Sequence, residues 1–448
     1  MSFGPPPWLR ALITRKMFIC VFTGFSSGLP LYLLLNLLPA WLATEGISLS
    51  RIGLLALIQL PYTWKFLWSP LLDRFAPPSF GRRRSWMLLT QVGLFLAIGF
   101  LGMQPLPDML PAPSLKDTVG FLLYPLLRFA EDVAFLFTHP ISHLAALIAL
   151  LSATQDIALD AYRRETLDEN ELGLGSSIHV NAYRLAGLVP GSLSLALTKY
   201  LPWSAVFWIT AAFMIPGAIL SLCVAEPSAG RFHPRTLRDA LVLPFAEFIG
   251  RRGWKDAGIV LAFIFFYKLG DSLCTALATP FYLGMGFSPT DIALVAKHAG
   301  LWPSIAGGIL GGLWMLHLGI NRALYLFGIV QIVSILGFAW LSHLGPQTEI
   351  GFAQHLALAA VIGFEALGVG LGTAAFVAFI SRATHPAYTA TQFALFSSLA
   401  AVPRTFINAS AGMIVERMGW FHFFLLCALL AIPGMLLLPR VAPWNGKA

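Results

Sequence analysis

The chain has 448 residues, of which 57% are hydrophobic and 11% charged, with a net charge of +8 at pH 7. A soluble domain carries about 25% charged residues to cover its surface, so this composition excludes a chain whose main solvent is water. Nucleic acid is not the expected partner of the basic excess, because the Lys and Arg residues fall in short breaks between apolar runs.

A spanning helix needs about 20 apolar residues. Such runs predict helices at 17–43, 51–72, 85–104, 141–162, 173–199 and 203–224, then at 254–285, 289–317, 321–343, 352–380, 389–415 and 420–438. Several are long enough to require tilt, a kink or an extension beyond the bilayer. Pro30, Pro190, Pro303 and Pro403 are the expected kink sites. The first run is too long for a signal peptide and lacks a small-residue cleavage site, so it is expected to remain as an anchor. Cys20, Cys223, Cys274 and Cys427 sit in or beside apolar runs with no CxxC pairing, which argues against a disulfide or zinc framework.

The basic residues set the orientation. Clusters such as Arg82–Arg84, Arg163–Arg164 and Arg251–Lys255 fall on one side, whereas the opposite loops hold only Arg51, Lys116, Arg128, Lys199 and Arg417. The positive-inside rule then places both termini in the cytoplasm. Residues 225–253 form a basic linker that divides the helices six and six, giving an N-terminal half (1–224) and a C-terminal half (254–448). An outer segment, 105–140, ends in the amphipathic stretch FLLYPLLRFAEDVAFLFTHP, read first as a variable loop and second as a surface-lying element.

The loop after the second helix reads SPLLDRFAPPSFGRRRSW. Ordered Asp73-Arg74, a glycine and then Arg82, Arg83 and Arg84 exceed what a bare positive-inside cluster explains. They suggest a latch in which Asp73 faces a helix N-terminus and the arginines pair with carboxylates. This wording resembles the loop signature of the major facilitator superfamily. KFLWSPLLDRFAPPSFGRRRSW more closely resembles the AmpG-type muropeptide permeases, as do GFSSGLPL (24–31), SATQDIALDAY (152–162), AYRLAGL (182–188), YKLGDSL (267–273) and ATQFALFSSLAAVPR (390–404). The resemblance implies an all-α major facilitator fold of about twelve spanning helices in a bacterial inner membrane. It further implies proton-driven import of anhydro-muropeptides for peptidoglycan recycling, with a link to β-lactamase induction. No cofactor is implied, and a monomer surrounded by lipid is expected. Acetyl-CoA transporters share a diluted form of the pattern and remain the alternative. The segment 105–140, Pro403 in place of an expected glycine, and the end of the chain after helix 12 depart from the family pattern.

Charges inside spanning helices cost about 2.5–3.5 kcal/mol each on insertion scales and face a cavity or a partner. Gln155, Asp156 and Asp160 lie on helix 4, with both carboxylates on one face; Asn181, Tyr183 and Arg184 lie on helix 5. Helix 7 carries Tyr267, Lys268 and Asp271, helix 8 Lys297, helix 10 Glu365, and helix 11 Gln392 and Arg404. Asp156 is the leading proton carrier, with Asp271 and Glu365 in reserve. Asp160 is assigned to the latch, beside Arg74 or the arginine cluster, ahead of proton carriage. Lys65, near a helix end, is read as a snorkelling structural residue. The polar residues Gln155, Asn181, Tyr183, Tyr267 and Gln392, with the cations Arg184, Lys268, Lys297 and Arg404, form the candidate substrate set. For the cations, cavity lining and buried pairing are equally open. A membrane-embedded acyltransferase would need a nucleophile with an orienting base, and a channel a repeated filter segment; neither pattern is found. His139 and His143 have zinc-compatible spacing, but Pro140 and the lack of a third ligand argue against a metal site.

Overall fold

In the computed structural model, the residues described are 12–47, 52, 55–75, 81–106, 134–227, 237–288, 291–346, 350–402 and 411–445. Their regular structure is helical throughout. In chain order the helices are α1 (Arg15–Thr44), α2 (55–74), α3 (Arg82–Leu101), α4 (Pro140–Thr166), α5 (172–197) and α6 (Trp203–Cys223). There follow α7 (254–284), α8 (292–318), α9 (320–343), α10 (Phe352–Ala383), α11 (Thr389–Val402) and α12 (420–441). The expected linker contains a further helical stretch, 237–252, which breaks at Gly253 (φ 79°) before α7.

Eight uninterrupted helical stretches among the described residues are long and apolar enough to span a bilayer. One of them, His298–His343, holds both α8 and α9, separated only by the backbone break at Gly319 (φ 73°). α2, α5 and α11 are absent from that set. α2 is split by 3-10 turns at Leu55–Gln59 and Lys65–Leu67, since Pro61 and Pro70 withhold N–H donors that an unbroken helix needs. α5 carries a π-bulge at Val189–Leu193 around Pro190. α1 carries its own at Leu33–Leu37, one turn after Pro30, and the two bulges pack against each other. Pro403 lies outside the described residues, as do 107–133 of the outer segment and 228–236 of the linker.

The chain forms two compact units. One comprises Val21–Tyr162 and Ala182–Pro227; the other comprises Met1–Cys20, Arg163–Asn181 and Ser228–Ala448. In the first, a core of Leu29, Leu33, Leu37, Trp41, Leu94 and Phe207 joins α1, α3 and α6. α1 and α5 approach closely there: a Cβ on Gly28 would lie 2.3 Å from the Tyr183 carbonyl oxygen. The second holds two apolar clusters. One is centred on Phe263, Phe327, Phe376 and Phe379, the other on Phe281, Phe338, Phe423 and Phe424.

Candidate functional site

The densest charge arrangement in the first unit lies where α2 ends and α3 begins. Arg83 Nη2 is 2.8 Å from Asp73 Oδ1, with the two side chains 1% and 0% exposed. Arg82 donates to the Asp73 carbonyl at 3.1 Å. At the N-terminus of α3 stands a second carboxylate, that of Glu226. Its carboxylate oxygens accept from the backbone N–H groups of Arg83 (2.8 Å) and Arg84 (3.1 Å), donors in the first turn of α3 that have no intrahelical acceptor. Gly81, at φ 92°, supplies the left-handed turn into α3, and a Cβ there would stand 2.6 Å from Glu226 Cδ. Arg84 reaches the carbonyls of Ser221 and Leu222 at the end of α6. Arg74 sits over the Phe75 ring at 5.4 Å. Sequence reading missed Glu226 because it belongs to a stretch taken as linker; its signal was an acid following α6 with no basic neighbour of its own.

Deeper in this unit is Asp156. Its Oδ1 accepts from Ser27 Oγ at 2.5 Å, and its Oδ2 stands 3.9 Å from Lys65 Nζ. Lys65 is buried, with a side chain 8% exposed, which corrects its reading as a snorkelling residue. Gln155 is sealed from solvent, and neither amide atom has a protein partner among the described residues. On α5, Tyr183 packs its ring against Tyr32 at 5.6 Å, and both Tyr183 and Arg184 are half-buried. Asp160, one turn beyond Asp156, is half-buried as well.

In the second unit, Lys268 pairs with Asp271 one turn on and donates to Thr373 Oγ1 of α10 at 3.3 Å. Both side chains are largely buried, so the open choice between cavity lining and pairing goes to pairing for Lys268. Tyr267 belongs to the core: its ring stacks on Phe376 and its hydroxyl donates to the Leu324 carbonyl at 3.0 Å. A water-sized cavity beside it is lined by Asp271 and by Gln331, whose Nε2 has no protein partner. Gln392 is spent on structure. It accepts from the His385 N–H at 2.7 Å and donates to the Pro244 carbonyl and to Glu247 at 2.9 and 2.7 Å. Tyr267 and Gln392 thus direct these hydrogen bonds to the chain's own structure. Asn181 donates to the Ser177 carbonyl at 3.0 Å and lies against Gly308 of α8. Glu365 is buried on α10 near Cys274 and Tyr282. Arg404 and the side chain of Lys297 lie outside the described residues.

His143 Nε2 hydrogen-bonds the Phe137 carbonyl and His139 Nδ1 accepts from the Ile141 N–H. Comparison with known proteins decides the family. The model of the Major Facilitator Superfamily matches residues 17–406. The chain belongs to the Major Facilitator Superfamily.

Within that superfamily, the anhydromuropeptide permease of Escherichia coli K12 is 38% identical over 434 residues, covering 96% of this chain and 80% of the relative. A Haemophilus influenzae protein of unassigned function is 47% identical over 434 residues, covering 96% of each chain. The chain is therefore also a member of the anhydromuropeptide permease family. The proton:xylose symporter XylE has the same fold, with a TM-score of 0.65 at 12% identity over 94% of each chain. The human organic anion transporter MFSD10 aligns with a TM-score of 0.64 at 15% identity, over 97% of this chain and all of that one. The chain is thus a polytopic membrane transporter and not an enzyme.

Proposed function

We propose that this transporter imports anhydro-muropeptides, GlcNAc-1,6-anhydro-MurNAc and its peptides, from periplasm to cytoplasm for peptidoglycan recycling. The observation that carries the reading is the 38% identity to a permease of that substrate class over 96% of the chain. The chemistry agrees with it: a stem peptide bears several carboxylates, and Arg184 offers a fork suited to bidentate pairing with one. The transporter works in the bacterial inner membrane by alternating access, as a monomer with both termini cytoplasmic. Its six-helix halves are 1–224 and 254–448, joined by 225–253.

Protons drive the cycle, with Asp156 as carrier and Asp271 and Glu365 as the alternatives. A carboxylate held in a partly dehydrated site beside a cation can gain and lose a proton as access alternates. Uptake of labelled GlcNAc-anhydroMurNAc-peptide into membrane vesicles, with acetyl-CoA as competitor, tests the substrate. The expected result is saturable uptake with little competition. Transport of acetyl-CoA without muropeptide uptake overturns the reading.

A further inference from the structure

Asp156 is embedded in a polar cluster drawn from three helices. Ser27 of α1 donates to one carboxylate oxygen and Lys65 of α2 stands 3.9 Å from the other. Tyr62, one turn before Lys65, places its hydroxyl beside Ser152 and Asp156 of α4. The Tyr62 hydroxyl and Ser152 Oγ are buried and face each other. Asp160, one turn further along α4, and Arg184 on α5 are the other charges carried by the interior helices of this unit. An unpaired buried ammonium or carboxylate costs several kcal/mol, so each of Lys65 and Asp156 stabilises the charge on the other.

The local backbone makes Lys65 a movable partner. It opens the 3-10 turn Lys65–Leu67, and the preceding Trp64 (φ −104°, ψ 7°) leaves α geometry. Such a turn is short of regular hydrogen bonds and marks a hinge within a helix. Trp68 is tied to α4 by its indole N–H, which donates to Thr154 Oγ1 at 3.0 Å. The hinge thus touches α4 through a neutral contact, Trp68–Thr154, and a charged one, Lys65–Asp156.

We propose that Lys65 is the positioning residue for energy coupling: its ion pair with Asp156 clamps the α2 hinge to α4, and proton uptake by Asp156 releases it. The inference rests on the reading that Asp156 carries the proton. In the step itself one proton adds to the carboxylate and no other bond changes. The ammonium loses its counter-charge, and the Trp68–Thr154 hydrogen bond remains between the turn and α4. Departure of the proton restores the clamp.

The pH profile of muropeptide uptake distinguishes this role from simple packing. A nearby cation favours the charged carboxylate, so the pH of half-maximal uptake in Lys65→Gln shifts upward by about one unit or more. Lys65→Arg keeps the wild-type midpoint, and Asp156→Asn has no pH-driven accumulation while still exchanging substrate. A wild-type midpoint in Lys65→Gln, beside an inactive Asp156→Asn, overturns the clamp and leaves the proton reading standing. Full pH-driven accumulation in Asp156→Asn overturns the proton reading itself. If Lys65→Gln fails to reach the membrane, the double variant Lys65→Gln/Asp156→Asn recovers its yield, because no lone buried carboxylate remains. A double variant that stays unfolded refutes the pair.

Discussion

Asp73 of α2 and Arg83 of α3 meet as an ion pair at 2.8 Å with both side chains sealed from solvent. Breaking a buried ion pair by removing one member costs about 3–5 kcal/mol. Asp73→Asn and Arg83→Met each lower stability by that amount in thermal unfolding of the purified protein. Asp73→Asn/Arg83→Met loses clearly less than the sum of the two. Strict additivity would mean the residues act independently.

Glu226 caps α3 through two backbone N–H groups, so its loss acts on helix order more than on charge balance. Glu226→Ala is expected to cost about 1–2 kcal/mol, and Glu226→Gln, which keeps an acceptor, about half of that. Hydrogen exchange at the Arg83 and Arg84 amides reads the effect directly; unchanged protection there in Glu226→Ala argues against the cap.

α5 and α8 touch through small residues. A Cβ on Gly308 would lie 2.5 Å from Asn181 Nδ2, and one on Gly312 would lie 2.6 Å from the Ser177 side chain. Overpacking of this kind costs about 1–3 kcal/mol. Gly308→Ala lowers the melting temperature, and Asn181→Ala in the same chain restores most of it. A loss that Asn181→Ala leaves untouched points to backbone effects at Gly308 instead.

Asp291 accepts from the Ser288 hydroxyl and backbone N–H and faces His355 Nε2 at 3.0 Å. The Ser288 hydrogen bonds, helped by His355, push its carboxyl down to about 2. An ordinary carboxyl titrates near 3.9. Because the folded value is the lower one, this contribution is complete above about pH 4 and is lost as pH falls through about 2. The melting-temperature gap between the wild type and Asp291→Asn is therefore present at pH 5 and closes toward pH 2. A gap that persists at pH 2 contradicts the assignment.

Tyr200, just after α5, and Trp254, at the start of α7, are 77% and 79% exposed. In the proposed orientation, Tyr200→Cys is expected to react with a membrane-impermeant thiol reagent in intact spheroplasts. Trp254→Cys reacts only after permeabilisation. The reverse pattern inverts the orientation.

Helix positions were legible because lipid demands long apolar runs: α6, expected at 203–224, is found at Trp203–Cys223, and α9, expected at 321–343, at 320–343. The interruptions inside α2 were not, since an apolar run looks the same whether the backbone is α or 3-10. That difference matters for Lys65. Its depth was judged from an uninterrupted helix, whereas 3-10 turns rise by about 2.0 Å per residue against 1.5 Å. Lys268 and Asp271 could be paired from their spacing alone, as neighbours one turn apart. The contact of Lys65 with Asp156 joins residues 91 positions apart in the sequence and exists only once α2 lies beside α4. Gln392 illustrates the converse: a polar side chain in an apolar helix signals a partner, but not whether that partner is a ligand or the chain's own backbone.

The Gly319 corner bears on how the protein is made. α8 and α9 share 46 residues with one backbone break between them, and nothing lies within 4 Å of a Cβ at Gly319. The glycine is there for its dihedral and not for room, since only a positive φ folds the chain back within one residue. A nascent chain has no slack at this corner with which to park α8 in the bilayer while α9 waits outside. The two helices enter lipid as one hairpin, and the corner leaves a protease or an inserted epitope no length of chain to grip.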